Sequence, residues 1–188
     1  MILVLCTANQ CRSPLVAASL RARLADRDPR RMVESAGLGA SGYPATPPTV
    51  DAARAFDLDL TQHRSRQVDA AIVGDADLIV GMERQHIREA VVLDQRVWSR
   101  AFTLKELVRR AGPVGQRAPG ESLDEWLHRV GEGRRPVDLL GQSQEDDVAD
   151  PTTDPLADYT TMAREIDTLV RELVDLAWPP APRRFNAS

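Results

Sequence analysis

Short apolar runs alternate along the chain with longer stretches whose apolar residues recur three or four positions apart. The runs at 2–5, 31–35, 77–82 and 96–102 predict strands. Helical spacing predicts helices over 14–25, 49–56, 84–92, 103–111, 123–130 and about 155–177. In the last of these Leu156, Tyr159, Met162, Ile166, Leu169, Val170, Leu173 and Val174 share one face, which predicts a core-facing helix. Strands alternating with helices predict the α/β class: a single three-layer domain, with a central, mainly parallel four-stranded sheet covered by helices on both faces.

The pattern breaks twice. Glycines, prolines and charges crowd 112–144 around one amphipathic segment, opened by a capping box in Ser122-Leu123-Asp124-Glu125. This predicts an extra helical insertion. Pro179-Pro180-Ala181-Pro182-Arg183-Arg184 cannot continue a helix, so the domain is expected to span 1–178 and the tail 179–188 to be disordered.

At 188 residues, 43% of them hydrophobic, the chain has enough apolar surface for one well-cored domain and too little length for two. A net charge of −4 argues against a nucleic-acid surface. Lys105 is the single lysine among many arginines, a bias read as genome composition. The apolar start is too short for a signal peptide, and no later run has the length of a membrane span, so a cytoplasmic location without a membrane partner is expected. Two cysteines five positions apart make no disulfide framework. His63, His86 and His128 lie too scattered for a zinc site, so neither metal nor cofactor is expected. Nothing in the sequence signals an oligomeric state.

The candidate chemistry follows the first apolar run: Cys6-Thr7-Ala8-Asn9-Gln10-Cys11-Arg12-Ser13-Pro14. A loop between a strand and a helix can turn successive backbone N–H groups onto a tetrahedral oxyanion, and the helix adds its positive end. Arg12 offers a planar fork for two phosphate oxygens. The same donors favour the thiolate of Cys6, the reactive form of its sulfur, and Ser13 can donate a hydrogen bond to it. Transfer of a phosphoryl group to sulfur also requires an acid for the leaving oxygen. Asp146-Asp147-Val148-Ala149-Asp150-Pro151 and the following Asp154-Pro155 supply carboxylates on a polar loop, where proline holds the preceding residue extended. On the residues alone, Asp150 and Asp154 are equal candidates.

Taken together these motifs resemble the low-molecular-weight protein tyrosine phosphatases of the arsenate reductase-like phosphatase superfamily. That family pairs an N-terminal Cys-x-Gly-Asn-x-Cys-Arg-Ser-Pro loop with a distant Asp-Pro acid. Ser35-Ala36-Gly37, His63-Arg64-Ser65-Arg66-Gln67 and Asp77-Leu78-Ile79-Val80-Gly81-Met82 leading to Arg84-Gln85-His86 extend the likeness. The family's spacing between acid and Tyr-bearing helix fits Asp150 and Tyr159 without a gap. The resemblance therefore implies a metal-free, two-step hydrolysis of a phosphorylated protein, with Cys6 as nucleophile, Arg12 stabilising the phosphoryl group and Asp150 as general acid. It implies that Thr7, Ala8, Asn9, Gln10, Cys11, Arg12 and Ser13 line the substrate site, and that Asn9, Ser13, Ser35 and His63 hold the loop open. Cys11 has two readings, a disulfide partner for Cys6 under oxidation or a small buried residue behind the loop.

Three departures bear on the substrate. Ala8 replaces the family's glycine, Gln10 stands where tyrosine phosphatases carry isoleucine and protein arginine phosphatases threonine, and Thr152 and Thr153 replace aromatics after Asp-Pro. Tyr43 is the candidate for the missing ring-stacking wall. The alternatives are a protein arginine phosphatase, a thiol-dependent arsenate reductase, for which no cysteine follows Cys11, and a non-catalytic phosphate-binding module.

Overall fold

The computed structural model describes residues 1–152 and 158–180. Four strands form one parallel sheet in the order β2-β1-β3-β4. They are β1 (Ile2–Cys6), β2 (Val33–Gly37), β3 (Leu78–Gly81) and β4 (Ala101–Thr103). Helices α1 (Arg12–Leu24), α2 (Pro47–Arg54), α3 (Ala70–Gly74), α4 (Arg84–Leu93), α5 (Leu104–Val114), α6 (Leu123–Val130) and α7 (Tyr159–Ala177) complete the α/β fold.

Two-residue alternation in β1 sorts the core into two layers. Ile2, Val4 and Cys6 face a cluster with Leu15, Leu20, Leu107, Trp126, Ile166 and Leu173. Leu3 and Leu5 face the opposite cluster, with Ile72, Ile87 and Val97. Every residue of β1 is buried, which is why it reads as an unbroken apolar run. Because β1 leads first to β2 on one side and the chain then crosses to β3 on the other, a topological switch lies at the C-terminal end of β1. Open α/β sheets leave a crevice there for ligands.

The strand expected over 96–102 is mostly a 3-10 helix, Gln95–Arg100, leaving only Ala101–Thr103 in the sheet. The Asp94 carboxylate accepts the Arg96 N–H at 2.9 Å and starts the turn, and only Val97 of that helix is buried. The second strand begins at Val33, because the Arg31 N–H closes a turn onto the Asp28 carbonyl. The last helix starts at Tyr159, with Asp158 as its N-cap, later than the expected 155. Asp154 and Leu156 lie outside the described residues, as does most of the tail, 181–188. The short α3, capped by Asp69 onto the Ile72 N–H, is an element the apolar pattern was too brief to mark.

Residues 112–144 split between an extension of α5, the capped helix α6 and a 3-10 turn, Pro136–Leu139. Trp126, Leu127 and Val130 are buried in the main core, and the Trp126 indole donates to the Gly115 carbonyl at 3.0 Å. Buried between this segment and β4, Arg134 lies over the Trp98 and Phe102 rings and pairs with Glu106. No helix among the described residues is long and apolar enough to cross a membrane.

Candidate active site

The loop 7–11 turns sharply because Asn9 adopts a left-handed backbone, with φ 53°. Asn9 is completely buried, and the surrounding frame holds its side-chain amide and its carbonyl. Its amide donates to Ser13 Oγ and Ser35 Oγ, both at 2.9 Å, its Oδ1 accepts the Arg66 N–H at 2.9 Å, and its carbonyl accepts His63 Nε2–H at 2.6 Å. Burial lowers the His63 pKa, although the bond to Asn9 opposes that shift. Ala8 has no positive φ, so the left-handed residue of the loop is Asn9, and a side chain at position 8 meets no backbone penalty.

Gly37 makes the close approach possible. A Cβ there would stand 2.7 Å from the Asn9 nitrogen and 2.8 Å from the Thr7 carbonyl oxygen. The Thr7 carbonyl accepts the Gly39 N–H at 2.9 Å, and the Gln10 carbonyl accepts that of Thr46 at 3.0 Å. The loop is thus stitched to the segment after β2 along its whole length.

Inside this frame lies the Cys6 sulfur, which accepts the Asn9 N–H at 3.2 Å and sits 2.9 Å from Ser13 Oγ. Since Ser13 Oγ already accepts from Asn9, its own hydrogen is free to go to the sulfur. Cys11 is the other free thiol. It is buried against Met162, with the two sulfurs 3.7 Å apart, and burial pushes its pKa up to about 11.

Arg12, 1% exposed, ties the trap to two other segments. Nη1 donates to Glu83 Oε1 at 2.5 Å and to the Val148 carbonyl at 2.8 Å. Nη2 donates to Asp150 Oδ2 at 2.5 Å. The other Asp150 oxygen accepts the backbone N–H and the hydroxyl of Thr152, at 3.0 and 2.7 Å. The loop bearing Asp150 is itself anchored beside α4: Val148 N–H donates to the Met82 carbonyl, and Asp147 accepts the N–H groups of Arg84 and Ser143, each at 2.8 Å. Asp146 is buried between the guanidinium groups of Arg84 and Arg109, both 2.7 Å away.

The structure therefore brings together Cys6, Asn9, Arg12, Ser13, Ser35, His63 and Asp150. Tyr43, 54% exposed, hydrogen-bonds through its backbone to Ser65 and makes no described side-chain bond to the loop. Glu83, His86 and the Arg84–Asp146 pair adjoin the site, and sequence reasoning assigned none of them a role there, although Arg84-Gln85-His86 extends the family likeness. The available signal was the polar run Glu83-Arg84-Gln85-His86 just after β3, at the edge where the crevice opens.

Residues 1–116 match the sequence model of the low molecular weight phosphotyrosine protein phosphatases. The chain belongs to that family. It is a cysteine-dependent phosphatase, a hydrolase of phosphoric monoesters. A probable low molecular weight protein-tyrosine-phosphatase, EpsP of Ralstonia solanacearum, is 39% identical over 107 residues, 56% of this chain and 71% of the relative. The low molecular weight protein-tyrosine-phosphatase Wzb of Salmonella typhi is 45% identical over 87 residues, covering 46% and 56% of the two chains. Among solved structures, the low molecular weight protein tyrosine phosphatase of T. tengcongensis superposes with a TM-score of 0.65 at 25% identity, over 93% of this chain and 97% of the other. The arginine phosphatase YwlE of Geobacillus stearothermophilus gives a TM-score of 0.66, also at 25% identity, over 93% and 90%. The family match takes in the Cys6 loop and α4 and ends before the segment that carries Asp150.

Proposed function

We propose that the chain removes phosphate from phosphotyrosine in proteins, with Cys6 as nucleophile, Arg12 and the loop N–H groups as the phosphoryl cradle, and Asp150 as general acid. One observation carries the reading: a single buried guanidinium, Arg12, joins the loop around the Cys6 sulfur to the Asp150 carboxylate. In this reading nucleophile and acid serve one phosphoryl position from opposite sides, as in-line displacement requires.

The proposed cycle uses these bonds. Both hydrogens of Arg12 Nη1 are committed to Glu83 and Val148, which among the described residues leaves Nε–H and the second Nη2 hydrogen as a fork for two phosphoryl oxygens. Cys6 sulfur attacks phosphorus while Asp150 gives its proton to the departing phenol oxygen. The ionised Asp150 then takes a proton from water as that water attacks the thiophosphate, restoring sulfur and releasing phosphate. Ser13 supports the sulfur at the start and as it leaves.

Phosphotyrosine is favoured by the names of the sequence relatives, which are protein-tyrosine-phosphatases at 39% and 45% identity over 107 and 87 residues; over the whole fold the solved tyrosine and arginine phosphatases match alike, at 25% and 25–26% identity. The test is hydrolysis of para-nitrophenyl phosphate, phosphotyrosine peptide and phosphoarginine peptide, under reducing conditions with metals chelated. Cys6→Ser is expected to abolish turnover, and Asp150→Ala to lower kcat about 10²–10⁴-fold. A native chain that binds phosphate without turnover would replace this mechanism with a binding role, and preference for phosphoarginine would replace the substrate.

A further inference from the structure

The start of α4 sends two side chains to the trap, and the mechanism above uses only Glu83. The second is His86, completely buried. Its Nδ1 accepts the Glu83 N–H at 3.0 Å, so in the neutral ring the proton sits on Nε2. That Nε2–H points at Thr7 Oγ1, 3.1 Å away. Thr7 follows the nucleophile directly, its side chain is at the exposed mouth of the loop, and its backbone is fixed through the Gly39 contact. Among the described residues its hydroxyl has no other hydrogen-bond partner.

We infer that Thr7 is a further hydrogen-bond donor to the bound phosphomonoester, and that His86 is the positioning residue that orients its hydroxyl for that contact. The inference rests on the placement of the phosphoryl group in the Cys6–Arg12 loop. A hydroxyl that accepts from a fixed imidazole N–H has its own hydrogen left to give. Threonine is stiff at χ1, so one buried partner is enough to select a single orientation. His86 is a dependable partner: burial, reinforced by the charge of Arg12, lowers its pKa to about 3, and the ring keeps the same single donor at neutral pH. The substrate would thus meet, beside the backbone cradle, one side-chain donor set in place before it arrives.

The test measures kcat/KM for para-nitrophenyl phosphate and competitive inhibition by inorganic phosphate in Thr7→Val, Thr7→Ser, His86→Leu and the Thr7→Val/His86→Leu double variant. Thr7→Val is expected to lower kcat/KM and phosphate affinity about tenfold, the scale of one hydrogen bond to a charged group, with Thr7→Ser within about twofold of native. His86→Leu should show a comparable loss, and the double variant should be no worse than the weaker single. Unchanged phosphate affinity in Thr7→Val, or losses that multiply in the double variant, would overturn the inference. Should thermal melts show His86→Leu unfolded, the Val and Ser comparison decides the donor role, and ring ¹⁵N shifts of native His86 decide the tautomer, with an Nδ1–H ring counting against it. Cys6→Ser is measured in parallel: retained activity there defeats the mechanism itself, whereas its loss alongside an unaffected Thr7→Val defeats this inference alone.

Discussion

Asn9 and Gly37 form one device: the first needs a left-handed turn, and the second leaves the space into which that turn is pressed. A methyl at position 37 would meet backbone atoms, which cannot swing aside as a flexible side chain can. Gly37→Ala is therefore expected to push the loop off its frame, costing about 1–3 kcal/mol of stability and lowering kcat/KM more than tenfold, read by thermal melts and para-nitrophenyl phosphate hydrolysis. His86 adds a pH dependence. Its folded pKa, about 3, is below the ordinary 6.5, so between those values the unfolded chain binds more protons than the folded one. This stabilising contribution is complete above pH 6.5 and is lost as pH falls toward 3, at up to about 1.4 kcal/mol per pH unit. Denaturant melts across that range should show the midpoint falling, with a shallower fall in a stable His86→Leu variant.

At the scale of elements, the decisive joint is between the N-terminus of α4 and the loop 143–150. Burial alone would raise the Asp146 pKa, but hydrogen bonds from Arg109 and Arg84 outweigh it and hold the carboxyl below its usual range. Asp146→Ala should destabilise the chain by about 2–3 kcal/mol. It should also lower kcat most for esters with poor leaving groups, because these depend on a well-placed acid. Comparing para-nitrophenyl phosphate with phenyl phosphate would show it. Little of this joint was legible in the sequence. The family's local spacing to Tyr159 singles out Asp150 over Asp154, whereas the partners of Asp146 lie 62 and 37 positions away. For the same reason the loop Cys6–Ser13 was legible as a unit, while the contacts that Glu83 and His86 make with it from the end of the neighbouring strand β3 were not.

Across the whole molecule, the parallel sheet could be read from apolar runs because β1 and β3 are buried on both faces. The edge strand β4 could not be delimited. It has three residues, and the capped turn before it borrows the same apolar spacing. Segment 112–144 reads as an addition by its glycines and prolines, yet it contributes Trp126 to the main core. Trp126→Ala is expected to cost about 3–5 kcal/mol, measured by chemical denaturation. Arg12 and Asp150 stand 138 positions apart, and α7, which closes over α1, comes later still. On a ribosome Cys6 emerges 144 residues before Asp150, the proposed acid. A half-made copy thus carries the Cys6 sulfur without the proposed acid, and on that proposal dephosphorylation waits for translation to reach the closing helix.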